Sequence, residues 1–121
     1  MKVKQLDLRE YLVPKSLDEA LSMFGSYAGN IGVIAGGTDI FTVDNKGPDA
    51  MLAISRAGLG YVKRGDDELR IGCCATYRAL TRSEDVKKVF TALWDASVVL
   101  ADMTIRQIAT VVGNMCSAVH S

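Results

Sequence analysis

Two stretches of this 121-residue chain set glycine beside a hydroxyl and a carboxylate or amide. The first is Val33-Ile34-Ala35-Gly36-Gly37-Thr38-Asp39-Ile40, an apolar run that halts at two glycines, a threonine and an aspartate before apolar character resumes. Glycine has no Cβ, so the chain can turn through positive φ with successive N–H groups uncovered. Such groups form a nest that attracts anions, and a diphosphate suits its shape. A Gly-Gly pair after a strand is more often the chemistry of an ordinary turn, and the octapeptide alone does not decide for a ligand. The second stretch is Ile105-Arg106-Gln107-Ile108-Ala109-Thr110-Val111-Val112-Gly113-Asn114, where hydroxyl, glycine and amide follow one another. Two loops of this kind can grip one long ligand.

Other chemistry is sparse. Cys73 and Cys74 are adjacent and Cys116 stands alone, without the paired C-x-x-C spacing of zinc or iron–sulfur sites. They read as small buried side chains. His120 has no second ligand type at metal spacing, so no metal site is expected. The 14 basic and 14 acidic side chains cancel, which removes the electrostatic footprint of a nucleic-acid binder. Lys63-Arg64 and Lys87-Lys88 read as solvated surface. Lys2 and Lys4 are followed by Asp7, Arg9 and Glu10 before any apolar stretch, so no signal peptide is expected. No apolar run approaches the ~20 residues that span a bilayer, and the expectation is a cytoplasmic protein without membrane contact.

The elements that must position the two glycine stretches are legible in outline. Ser16 and Glu19 form a capping box behind Pro14, and Leu17, Ala20, Leu21 and Phe24 follow at the spacing of one buried helical face. Val33 to Ala35 reads as a strand leading into the first glycine loop, and Met51-Leu52-Ala53-Ile54 as the next parallel strand. Tyr61-Val62-Lys63-Arg64 and Leu69-Arg70-Ile71-Gly72 flank Gly65-Asp66-Asp67, which is hairpin chemistry. Thr76 caps a short turn to Leu80, Ser83 caps a segment from Glu84 to Phe90, and Leu93, Ala96, Val99 and Leu100 continue with helical spacing. Phe90 and Trp94 read as core. The expected organisation is an α/β unit over residues 1–57 and an antiparallel α+β unit over 58–121, meeting at a packed seam where a cofactor can lie.

The chain resembles the FAD-binding, or medium, subunit of the molybdenum hydroxylases, the group that includes bacterial xanthine dehydrogenases and carbon monoxide dehydrogenases. The likeness runs in order through Tyr11 and Pro14, residues 16–21, the 35–39 loop, Leu69-Arg70-Ile71-Gly72, Ala75-Thr76-Tyr77, Ile105-Arg106 and residues 110–114. It implies an α+β FAD-binding fold of the vanillyl-alcohol oxidase/PCMH type with an incomplete second subdomain. It also implies that Val33, Ile34, Ala35, Gly36, Gly37, Thr38, Asp39 and Ile40 form one FAD loop. Thr110, Val111, Val112, Gly113 and Asn114 would then form the other, with Leu100 set against the flavin nucleotide. The resemblance casts no residue as acid, base or nucleophile, because the isoalloxazine carries the redox chemistry. Its partners would be a molybdopterin-binding large subunit and an iron–sulfur (2Fe-2S) small subunit, with NAD as an acceptor.

Two departures set up a rival expectation. The family has Gly-Gly where this chain has Val112-Gly113, and a β-branched residue at positive φ would strain the loop by ~1–3 kcal/mol and crowd a diphosphate. The sequence also stops at Ser121, where the family continues with an acidic FAD contact, further strands and another domain. A truncated or decayed flavoprotein segment with weak FAD binding and an assembly role is therefore the second reading. Such a chain would expose a strand edge or apolar face and associate. A different flavoprotein of the vanillyl-alcohol oxidase fold is the third.

Overall fold

The computed structural model describes residues 8–40 and 47–117. His120, along with Lys2 and Lys4, lies outside them. Three short strands form a parallel sheet: β1 (Glu10–Leu12), β2 (Ile31–Ile34) and β3 (Ala50–Ala53), in the order β1-β3-β2. Glu10 pairs with Ala50 on one side of β3, and Ile31 pairs with the same residue on the other. Flanked on both edges, Ala50, Met51, Leu52 and Ala53 are all buried, which is why this strand reads as an unbroken apolar run. Ile54 does not extend it; a 3₁₀ turn, Ile54–Arg56, begins there instead.

Helix α1 (Leu17–Ser26) starts as expected, with the Ser16 hydroxyl accepting from the Glu19 N–H and the Glu19 carboxylate accepting from Lys15 N–H. Its apolar stripe is not buried as the spacing predicts. Only Ala20 is buried, where α1 meets β3, while Leu17, Leu21 and Phe24 are 48–61% exposed. Spacing determines which side chains share a face, and here the short sheet reaches only one of them.

The remaining residues form a second cluster. Strands β4 (Val62–Arg64) and β5 (Leu69–Ile71) make the expected antiparallel hairpin. Five short helices follow: α2 (Tyr77–Thr81), α3 (Glu84–Val89), α4 (Thr91–Val99), α5 (Met103–Ile108) and α6 (Val111–Ser117). Thr76 caps α2 through Ala79 N–H, Ser83 caps α3 through Val86 N–H, and Asp102 caps α5 through Ile105 N–H. The core holds Tyr77, Leu80, Val86, Ala109 and Val111, with Leu93, Trp94, Leu100 and Ile105 packed against it. Trp94 also donates its indole N–H to the Thr81 carbonyl at 3.0 Å. Phe90, expected inside, is 52% exposed because it joins α3 to α4 as their shared cap and turns outward. Val99 is likewise exposed at the end of α4. No helix among the described residues is long and apolar enough to cross a membrane.

Candidate functional site

The first glycine stretch leaves the end of β2 and lies directly on the backbone that joins α5 to α6. A Cβ at Gly36 would overlap the Ile108 carbonyl and press on Ala109 Cα, so only glycine permits this approach. Gly37 has a different requirement. Its φ of 72° lies in the left-handed region, and the turn through Thr38, Asp39 and Ile40 depends on it.

The second stretch is held from the opposite side. Ala109 accepts from Tyr77 N–H at 3.0 Å and Val111 donates to the Ala75 carbonyl at 3.4 Å, forming an isolated antiparallel bridge between Thr76 and Thr110. The stretch then becomes a helix. The Thr110 hydroxyl accepts from Gly113 N–H at 3.1 Å and the Thr110 carbonyl from Asn114 N–H at 3.0 Å, the bonding of a helix cap. A Cβ at Gly113 would stand 2.5 Å from that hydroxyl, which accounts for the hydroxyl and glycine occurring together.

Val112 therefore occupies a helical position and not a positive-φ turn. Ala101 is the one non-glycine residue with positive φ among the described residues. The expected strain at Val112 is overturned, because the Thr110 cap draws residues 111–117 into α6.

Between the two stretches lies a cavity of about 580 Å³. Every one of residues 33–40 lines it, together with Thr110, Val112, Gly113 and Asn114. Glycines can contribute only main-chain atoms to such a wall, so the loop presents backbone to whatever enters. Val111 departs from the expected set; it is 8% exposed and packs in the core. Leu100 packs against the same core and is not in the cavity wall.

Several wall residues went unread in the sequence. Ser117 donates to the Asp39 carboxylate at 2.9 Å, tying the first stretch to the end of α6 across 78 positions of sequence. Burial, and then the Asp39 charge, raise the Tyr77 phenol above its usual pKa. Cys73 and Cys116 also line the cavity, and the cysteines are not the buried side chains expected: Cys73 and Cys74 are half-buried and Cys116 is exposed. The only sequence signal for these contributors was proximity to a glycine motif.

With this geometry in view, the relatives are informative. A family model described as the FAD binding domain in molybdopterin dehydrogenase matches residues 4–121. The nicotinate dehydrogenase FAD-subunit of Eubacterium barkeri is 26% identical over 114 residues, covering 90% of this chain and 38% of that protein. Subunit alpha of the 6-hydroxypseudooxynicotine dehydrogenase complex of Paenarthrobacter nicotinovorans is also 26% identical, over 113 residues, with the same coverage. The chain thus spans about two-fifths of the curated relatives it matches. Among solved structures, carbon monoxide dehydrogenase from Hydrogenophaga pseudoflava superposes with a TM-score of 0.82 at 23% identity, covering 93% of this chain and 40% of that one. The reconstituted CO dehydrogenase of Oligotropha carboxidovorans gives 0.80 at 24%, covering 94% and 40%. At these identities the superpositions establish the fold.

Proposed function

The chain belongs to the family of FAD-binding domains of molybdopterin dehydrogenases, and from that premise we propose that it serves as the FAD-holding subunit of a molybdenum hydroxylase. Its cofactor is FAD. What carries this reading is the cavity between the two glycine stretches. Its volume falls within the roughly 300–1,000 Å³ of small-molecule and cofactor sites. At Gly36 and Gly37 the wall is main chain, kept so by the Ile108 carbonyl behind Gly36 and by the left-handed φ of Gly37.

In this reading residues 33–40 hold the diphosphate through main-chain N–H groups, and Thr110, Val112, Gly113 and Asn114 complete the grip from the α5–α6 side. The Thr110 hydroxyl keeps α6 in register, and the Asp39–Ser117 hydrogen bond fixes the distance between the walls. When bound, FAD would supply the redox chemistry between an iron–sulfur small subunit, itself served by a molybdopterin-binding large subunit, and an acceptor such as NAD, while this chain's residues hold and orient it. Nothing in the wall needs to act as a general acid or base for that division of labour. The vanillyl-alcohol oxidase/PCMH description of the fold, with a boundary near residue 57, belongs to the same proposal.

The test is direct. Purified chain mixed with FAD should quench the flavin fluorescence and stay yellow after desalting. Colourless protein with unquenched flavin would defeat the proposal.

A further inference from the structure

The turn between β5 and α2 carries two free cysteines in succession. Cys73 lines the cavity, whereas the Cys74 thiol donates to the Ile54 carbonyl at 3.4 Å. We propose that Cys73 and Cys74 are a covalent modification site, a dithiol that hydrogen peroxide converts to a vicinal disulfide and whose closure loosens the second glycine stretch.

The chemistry divides between the two sulfurs by access. Cys73, facing the cavity and having given its proton to solvent, attacks one peroxide oxygen; the S–O bond forms as the O–O bond breaks, and the departing hydroxide takes up a proton to leave as water. Cys74 then attacks the Cys73 sulfur. The S–S bond forms, the S–O bond breaks, and the Cys74 proton leaves with the second water. Two thiols and one peroxide give one disulfide and two waters. Burial, then the charge and hydrogen bond of Cys73, push the Cys74 thiol up to about 12, so Cys73 attacks the peroxide first; once Cys73 is a neutral sulfenic acid its charge no longer opposes loss of the Cys74 proton in the second attack.

Closure would act on a turn with little slack. A Cβ at Gly72 would overlap the Leu59 carbonyl, Cys74 N–H donates to that same carbonyl at 2.9 Å, and Ala75 N–H donates to Gly72. Consecutive Cα atoms stand ~3.8 Å apart, short of the ~4.4–6.8 Å that ordinary disulfides span, so the ring is strained and easily reduced. That is the character of a reversible bond. The strain falls one residue before Ala75, whose carbonyl holds Val111, and two before the bridge from Thr76 to Thr110. The consequence for FAD rests on the cofactor reading above; the thiol chemistry does not.

The full chain, reduced and desalted, is treated with hydrogen peroxide and digested with trypsin. Cleavage after Arg70 and Arg78 leaves both cysteines in the 71–78 peptide and Cys116 in the 107–121 peptide. The 71–78 peptide should lose the mass of two hydrogens and regain it with dithiothreitol. Phenylarsine oxide added first should block the loss. Cys74→Ser should abolish it and leave a dimedone-trappable sulfenic acid on Cys73. In the oxidised chain, amides at 109–114 should exchange with deuterium faster, and FAD should be held about 5- to 150-fold more weakly, the range common to coupled sites. A cross-link joining 71–78 to 107–121, an unchanged 71–78 peptide, or identical exchange at 109–114 in the two forms would overturn the inference. A chain that shows the mass loss and faster exchange yet never retains FAD would uphold the dithiol and defeat the cofactor reading.

Discussion

The two glycine stretches face one cavity, yet glycine is required in them for unlike reasons. At Gly36 the demand is steric and distant, because the Ile108 backbone occupies the place a side chain would take. Its neighbour Gly37 answers a local demand for φ of 72°. At Gly113 the backbone is helical, and the space is claimed by the hydroxyl that caps the helix. The same residue type thus marks a floor, a turn and a cap. A glycine in a motif names a constraint without saying which one, and the neighbours decide.

Substitutions can break or sharpen this contrast. Gly36→Ala should have the largest effect, lowering stability by about 1–3 kcal/mol or more as the loop is forced off the α5–α6 backbone, with loss of retained FAD. Urea unfolding and desalting with FAD read both. Gly37→Ala should cost about 1–2 kcal/mol, the penalty of a left-handed non-glycine residue, while leaving the rest of the wall in place. Thr110→Val should remove the α6 cap for about 0.5–2 kcal/mol, and Thr110→Ser should restore most of it; thermal unfolding separates the two.

Val112→Gly tests the contrast by sign. Were residue 112 in a strained turn, glycine would raise stability. As a helical position it should instead lower it by about 0.3–1 kcal/mol in the same unfolding assay.

The smallest effect concerns pH. The folded Tyr77 phenol titrates above its unfolded value of 10.0, so its contribution to stability is complete below pH 10 and declines as pH climbs beyond it. Tyr77→Phe should flatten that decline and Asp39→Asn should flatten part of it, measured as unfolding midpoints between pH 9 and 11. Cys74, raised from 9.0 to about 12, adds a decline of the same sign from pH 9 upward, so each variant is compared with the parent chain at matched pH.

What the sequence disclosed follows the same division between local and distant causes. The caps at Ser16, Thr76 and Ser83 were legible because a hydroxyl and an N–H three residues on are all they need. The hairpin around Gly65 and the parallel placement of β3 were legible for similar reasons. The family likeness located both walls of the cavity. Strand β1 escaped notice because Glu10–Leu12 is too short to show a period. Helix α6 was mistaken for a loop, since Thr110 and Gly113 were weighed as ligand contacts and not as a cap with room for it. The exposure of Leu17, Leu21 and Phe24, the contact of Gly36 with Ile108 and the Asp39–Ser117 bond depend on what lies opposite, which periodicity does not encode.

The placement of β3 between its neighbours bears on biosynthesis. Among the described strands neither Glu10–Leu12 nor Ile31–Ile34 pairs with the other, so both remain without ladder bonds until the ribosome has delivered Ala50–Ala53. The turn at Gly37 therefore has an unanchored root for part of translation, and its floor arrives later still, with Ile108. Nascent chains halted before residue 108 should consequently show protease cleavage near residues 35–40 that disappears once that segment emerges.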